Sequence, residues 1–115
     1  VAIDAEKAKA MVFEPLTVDV ERGRLRFFAQ ATGQTDPIYS DVDAARAKGH
    51  RDLPVPPTFF FGLQFEAGEP FGYLARLGVD LRTVLHGEQS FIYHRMAYAG
   101  DQLTLTDRIV AVYAK

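Results

Sequence analysis

The side chains in this sequence whose types and spacing could do chemistry fall in a few short runs. The first is Gly33-Gln34-Thr35-Asp36-Pro37-Ile38-Tyr39-Ser40-Asp41, which brings an amide, a carboxylate and a phenol close together. Acid/base catalysis near neutral pH needs a group whose protonation changes there. Gln34 does not ionise, and the Tyr39 phenol is a poor base at that pH. Asp36 would need burial or a neighbour to raise its pKa before acting as a base; beside Pro37 it equally suits plain turn capping. Tyr39 suits either the wall and hydrogen-bond donor of a ligand site or a packed aromatic with its hydroxyl satisfied.

The second run is His86-Gly87-Glu88, a local pairing of imidazole and carboxylate. On a strand, His86, Glu88, Ser90, Ile92 and His94 share a face. The pair could then work as a self-sufficient acid and base, or simply hydrogen-bond a loop or an interface. His86 and His94 would lie about 26 Å apart at roughly 3.3 Å per residue, too far to share a metal ion. Cysteine is absent, which excludes disulfides, thiolate catalysis and zinc-cysteine sites; no metal site is supported. The third run is Pro57-Thr58-Phe59-Phe60-Phe61. Thr58 is a fitting helix N-cap, and the unpaired N–H groups behind it could receive a carbonyl oxygen. The phenylalanines could line a tunnel for an apolar chain or form plain core.

The first run keeps, through Gly33, Pro37, Ile38, Asp41, Ala44 and Ala45, the frame Gly-Asp-x-Asn-Pro-(Leu/Ile)-His-x-Asp followed by Ala-Ala. It resembles the MaoC-like (R)-specific enoyl hydratases and 3-hydroxyacyl dehydratases. The family's catalytic Asp falls on Gln34, its Asn on Asp36 and its catalytic His on Tyr39. The resemblance is therefore to the N-terminal, FAS1-like dehydratase branch, the acyl-holding half. Val55-Pro56-Pro57-Thr58-Phe59 looks like that branch's Ala-Pro-Pro-Thr-Phe, with Val55 for Ala. His86 to Arg95, closed by Ala99-Gly100-Asp101, is similar to its strand motif, with Met96-Ala97 where Pro-Leu is usual.

The resemblance implies an α+β hot-dog fold, an antiparallel sheet wrapped around a central helix. It implies a fatty acyl thioester as ligand, held by Tyr39, Pro57, Thr58, Phe59 and Phe60. Coenzyme A or an acyl carrier would bear the thioester, with no further cofactor. The degenerate positions Gln34, Asp36 and Tyr39 imply that hydro-lyase activity appears only when another hot-dog domain, in a homodimer or heterodimer, supplies Asp and His. His86 and Glu88 are the weaker catalytic candidates. The rival readings are a hot-dog acyl-CoA thioesterase using Glu88, Glu66 or Asp36 as base, and a non-catalytic acyl-thioester binder.

The elements that must position these groups follow from periodicity. Asp4 to Met11 suits a short helix capped by Asp4, and Leu16 to Val20 alternates as a half-buried strand does. Leu25, Phe28, Ala29 and Thr32 recur at helical spacing and end at Gly33, so the signature run leaves a helix C-terminus. Asp41 or Asp43 caps a helix running to Lys48, with Gly49 as its stop. Residues 49 to 57 form a proline-stiffened lip. From Thr58, apolar residues lie nearly all round one helix, which must be buried on most sides. Residues 73 to 79 add a helical turn or two. Residues 85–96 and 101–113 then read as two long strands joined at Ala99-Gly100-Asp101.

With 115 residues, 48% of them hydrophobic, the chain has material for one domain with a modest core. Its net charge of −2 and scattered basic residues give no footprint for nucleic acid or for a membrane surface. Arg46, Lys48 and Arg51 near the presumed pocket lip could meet carrier phosphates, or be ordinary solvated loop residues. No run approaches a signal peptide or a membrane span, so the expected compartment is the cytoplasm without membrane insertion. The strand-like run from Asp107 to Tyr113 has no turn signal after it, so the fold is expected to lack its C-terminal strands in this chain.

Overall fold

The computed structural model describes residues 2–115. Helix α1, Ala5–Lys9, is capped by Asp4, whose carboxylate accepts the Lys7 N–H at 3.1 Å. Strand β1, Leu16–Asp19, follows Pro15 and alternates as its sequence requires: Val18 is buried, and Thr17 and Asp19 are exposed. It pairs antiparallel with β2, Gln102–Leu105, in the register Leu16↔Leu105, Thr17↔Thr104, Val18↔Leu103 and Asp19↔Gln102. Each pair joins like with like. The leucines and Val18 face the core, Thr17 and Thr104 share a hydrogen bond at 3.1 Å, and Gln102 Nε2 donates to Asp19 at 3.2 Å.

Helix α2, Arg22–Ala31, buries Leu25 and Ala29 one turn apart and packs Phe28 edge-on against Phe59 at 5.3 Å. It stops where Gly33 takes φ +74°, a left-handed turn that favours glycine. Helix α3, Val42–Ala47, is capped by Asp41, which accepts from Asp43 N at 2.9 Å and Ala44 N at 3.3 Å. Gly49 ends it at φ +92°. Helix α4 is short, Phe59–Gly62, and runs into a 3-10 turn over Leu63–Glu66; α5, Gly72–Arg76, completes the α-helices of the described residues, followed by a 3-10 turn over Leu81–Thr83. The core gathers Val18, Val20, Leu25, Ala45, Leu53, Val55, Phe59, Leu63, Ala97 and Ala99.

Four expectations need correction. Residues 49–57 are not a lip: Leu53, Pro54, Val55 and Pro56 are buried, and Pro54 bridges Tyr98. Proline rings fill apolar volume without bringing a donor. The remaining donors are satisfied, Leu53 N by Asp52 at 2.7 Å and Val55 N by Ala97 O at 2.9 Å. The expected hairpin between 85–96 and 101–113 is absent. Residues 102–105 pair with β1 because Leu103 and Leu105 find Val18 and Leu16 there, while 97–99 bond to 53–55.

Residues 84–96 form no strand, since nothing among the described residues offers them a ladder partner, and residues 81–90 are exposed throughout. Nor is the central helix buried on most sides: Phe59 and Leu63 are inside, but Phe61 and Phe65 are 37% and 48% exposed. A two-stranded sheet covers one flank only. The molecule is correspondingly long, 53 × 25 × 25 Å with a radius of gyration of 17.2 Å. About 13 Å would suit a compact domain of this size.

Candidate functional site

The signature run leaves α2 and is stapled back to it: Arg26 Nε donates to the Ser40 carbonyl at 2.8 Å. Gln34 Oε1 accepts the Asp36 N–H at 3.0 Å, and Asp36 Oδ1 accepts the Ile38 N–H at 3.1 Å. Pro37 opens a 3-10 turn, Pro37–Tyr39, where its missing N–H costs nothing. The polar atoms of Gln34 and Asp36 therefore shape the loop itself. Gln34 and Asp36 are exposed, Tyr39 is half-buried, and Ile38 packs against the core.

Phe59 opens onto an apolar groove of about 340 Å³ between α2 and α4, lined by Gly23, Arg24, Phe27, Phe28, Phe59 and Gly62. Of the expected ligand-holding residues, Phe59 lines it and Phe60 packs against the neighbouring core. Among the described residues no hydrogen bond or ring contact joins Tyr39 to Pro57, Thr58, Phe59 or Phe60. Pro57 contributes its carbonyl, which accepts from the Tyr93 hydroxyl at 2.6 Å.

Thr58 does not cap α4 with its side chain. It sits at φ −91°, ψ −1°, whereas a capping residue usually takes the extended conformation. The first α4 donor, Phe59 N, bonds the Pro56 carbonyl at 3.0 Å, and a helix this short has little dipole to offer an oxygen.

Sequence reasoning missed Gly23, Arg24, Phe27, Phe28 and Gly62 as groove lining. The available signal was Phe27, an aromatic on the polar face of an amphipathic helix, which stands 73% exposed. Both glycines leave open space where a Cβ would stand, which keeps the groove clear.

His86 and Glu88 do not form a pair. Without the strand they share no face; His86 Nε2 meets Gln89 Oε1 at 3.2 Å and its ring packs edge-on against Phe61 at 5.0 Å. The other candidate bases are also occupied, Glu66 by an ion pair with Arg24 and Asp36 by its cap. Among the described residues no three His, Asp or Glu come together as a metal site would require. No helix of the described residues is long and apolar enough to cross a membrane.

The strongest electrostatic features were invisible in the sequence. Arg22 grips Asp52 with two hydrogen bonds, 3.0 Å from Nε and 2.6 Å from Nη2. Hydrogen bonding from Arg22 holds the Asp52 carboxyl down to about 2, helped by the Leu53 N–H and by the charges of Arg22 and Arg46, against the cost of desolvation. Arg51 pairs with Asp101 at 2.5 Å and lies 4.6 Å over the Tyr98 ring; Asp101 also accepts the Tyr98 N–H at 2.8 Å. Hydrogen bonding from Arg51 pulls the Asp101 carboxyl below its ordinary range.

Known proteins show the family of the chain. Residues 7–115 match the family model described as the FAS1-like dehydratase domain region. A UPF0336 protein of Streptomyces griseus is 46% identical over 94 residues, covering 82% of this chain and 63% of the relative. A UPF0336 protein of Streptomyces coelicolor is 44% identical over 94 residues, with the same coverage of 82% and 63%. The chain thus spans a little under two thirds of the length of these relatives.

The crystal structure of a C-terminally truncated HadBC (3R-hydroxyacyl-ACP dehydratase) complex from Mycobacterium tuberculosis superposes with a TM-score of 0.73 at 26% identity. The overlap covers 87% of this chain and 73% of that one. The fold is the hot-dog type, of which the described residues supply two paired strands and the helices. This chain belongs to the FAS1-like dehydratase domain family, among the MaoC-like hot-dog dehydratases.

Proposed function

We propose that this chain is the acyl-thioester-binding, catalytically degenerate half of an (R)-specific enoyl hydratase/3-hydroxyacyl-thioester dehydratase in fatty acyl metabolism. The carrying observation is the signature loop. Its scaffold is intact, with Gly33 in the left-handed turn, Pro37 opening the 3-10 turn and Asp41 capping α3. Yet Gln34 and Tyr39 stand where the family's acid and base would be, and neither can shuttle a proton near neutral pH.

The reaction is reversible addition of water across a trans-2-enoyl thioester. Water's oxygen bonds the β-carbon, its proton reaches the α-carbon, and dehydration reverses both. This proton traffic belongs to a partner hot-dog domain that brings a carboxylate and an imidazole. The present chain contributes the apolar groove around Phe27, Phe28 and Phe59, which removes the acyl chain from water and orients it. The reading asks for no redox or metal cofactor; coenzyme A or an acyl carrier bears the substrate. The HadBC structure supports it by analogy, since that dehydratase is a complex.

Incubation of the chain alone with crotonyl-CoA tests the reading against a thioesterase. Neither loss of the enoyl absorbance nor release of free thiol is expected. Thiol release without hydration would establish the thioesterase, and hydration by the chain alone would mean that its own residues perform the chemistry.

A further inference from the structure

Two contacts join α2 to the segment that begins with α4, and the apolar groove lies between them. At one end the Phe28 and Phe59 rings meet edge-on, 5.3 Å apart. At the other, the Arg24 guanidinium pairs with the Glu66 carboxylate. Arg24 lies one turn before Phe28 on α2, and Glu66 closes the 3-10 turn that continues α4. Gly23 and Gly62 bring no side chain to the groove, and open space stands at both Cβ positions. Among the residues that line the groove, Arg24 alone is charged.

The groove has a direction. The signature loop leaves the C-terminal end of α2, beyond Phe28, so an acyl chain whose thioester lies at that loop enters at the Phe28–Phe59 end and runs toward Arg24. From Phe28 back to Arg24 is one helical turn, about 6 Å at 1.5 Å per residue, room for roughly five carbons of an extended chain with bonds of about 1.5 Å. There the chain meets an ion pair whose side chains are 49% and 32% exposed. Carbons beyond this point gain nothing. Either they stay in water, or they lie against the two charges and strip them of water, which costs more than the burial of a methylene returns.

We propose that the Arg24–Glu66 ion pair is the end stop of the groove and sets the longest acyl chain that the groove shelters. The inference rests on the acyl-thioester reading above and adds the chain-length class. The limit falls at about eight carbons, once the thioester carbon and the two reacting carbons outside the groove are added to those along the helical turn. Arg24 and Glu66 act on specificity alone, at the end of the groove away from the reacting atoms.

Calorimetric titration of the full chain with butanoyl-, hexanoyl-, octanoyl-, decanoyl- and dodecanoyl-CoA tests this, because the carrier is constant and only the tail grows. Affinity is expected to rise about fourfold per methylene up to octanoyl-CoA, and by less than about twofold in all from there to dodecanoyl-CoA. In Arg24→Ala/Glu66→Ala the rise should continue, so that dodecanoyl-CoA binds at least about tenfold tighter than octanoyl-CoA. The charge-exchanged variant Arg24→Glu/Glu66→Arg keeps an ion pair and should keep the natural limit. Both variants should melt within a few degrees of the natural chain, since so exposed a pair adds little stability.

A rise that continues unbroken to dodecanoyl-CoA in the natural chain overturns the end stop and leaves the acyl reading standing. A limit that survives the double alanine change, or that is lost on charge exchange in a folded chain, overturns the assignment to Arg24 and Glu66. Affinity that does not change from butanoyl-CoA to octanoyl-CoA removes the acyl reading and this proposal with it.

Discussion

Gln34 accepts the Asp36 N–H and Asp36 accepts the Ile38 N–H, so these two polar residues of the signature loop serve the loop's own backbone. Asp36→Ala should lower stability by about 0.5–2 kcal/mol, the usual cost of a lost cap. It should leave binding of an acyl thioester intact, which chemical denaturation and calorimetry check together.

Asp52 carries more of the fold. Asp52→Asn weakens the doubly bonded Arg22 contact, and since the Arg22 side chain is 48% exposed the loss is held to about 1–2 kcal/mol. The folded Asp52 carboxyl lies at about 2, below the ordinary range near 4. The unfolded chain therefore binds its proton first as pH falls, and the pair's contribution, fully present above about pH 4, fades as pH drops through about 2. Denaturation midpoints measured across that window should fall more steeply in the natural chain than in Asp52→Asn.

Roles set by near neighbours were legible in the sequence: the Asp4 and Asp41 caps and the turn at Asp36-Pro37. The Arg22–Asp52 and Arg51–Asp101 pairs were not, because their partners stand 30 and 50 positions apart and only the tertiary fold joins them.

The helices follow their periodicity closely, and β1 alternates as read. Covering was harder to read. The apolar spacing of Phe59 to Phe65 predicts a helix buried on most sides, but the burial of such a helix depends on how much sheet surrounds it, which the run itself does not encode. Residues 85–96 carry a strand's alternation, yet a strand exists only with a ladder partner.

Gly62 makes the groove testable. It sits in helical geometry, φ −75° and ψ −13°, with open space at its Cβ position. Gly62→Ala should therefore raise stability by about 0.5–1 kcal/mol through helix propensity. Its methyl enters the groove, so octanoyl-CoA should bind several-fold more weakly despite the greater stability. Gly33→Ala should instead lower stability by about 1–2 kcal/mol because φ is +74°.

At the scale of the molecule, an extended shape coincides with a run, residues 85–92, whose two end apolar side chains nothing among the described residues covers: Leu85 is 92% exposed and Ile92 is 83% exposed. In the proposed assembly this run meets the partner domain. Changing both residues to Asp should shift the stability of the free chain by no more than about 0.5 kcal/mol, as exposed sites usually do. The same change should abolish co-elution with a MaoC-like partner, a contrast that size-exclusion chromatography and denaturation read side by side. The family was legible in three short runs of residues. The groove was not, because Phe27 and Gly23 on α2 meet Phe59 and Gly62 on α4 only once the helices pack.

The most direct test of the central claim is crotonyl-CoA hydration, followed by loss of the enoyl absorbance, with the chain alone and mixed with a MaoC-like domain carrying the Asp/His motif. The account predicts turnover only in the mixture, lost again when the partner's Asp or His is replaced. Turnover by this chain alone would contradict it, as would a mixture no faster than the partner by itself.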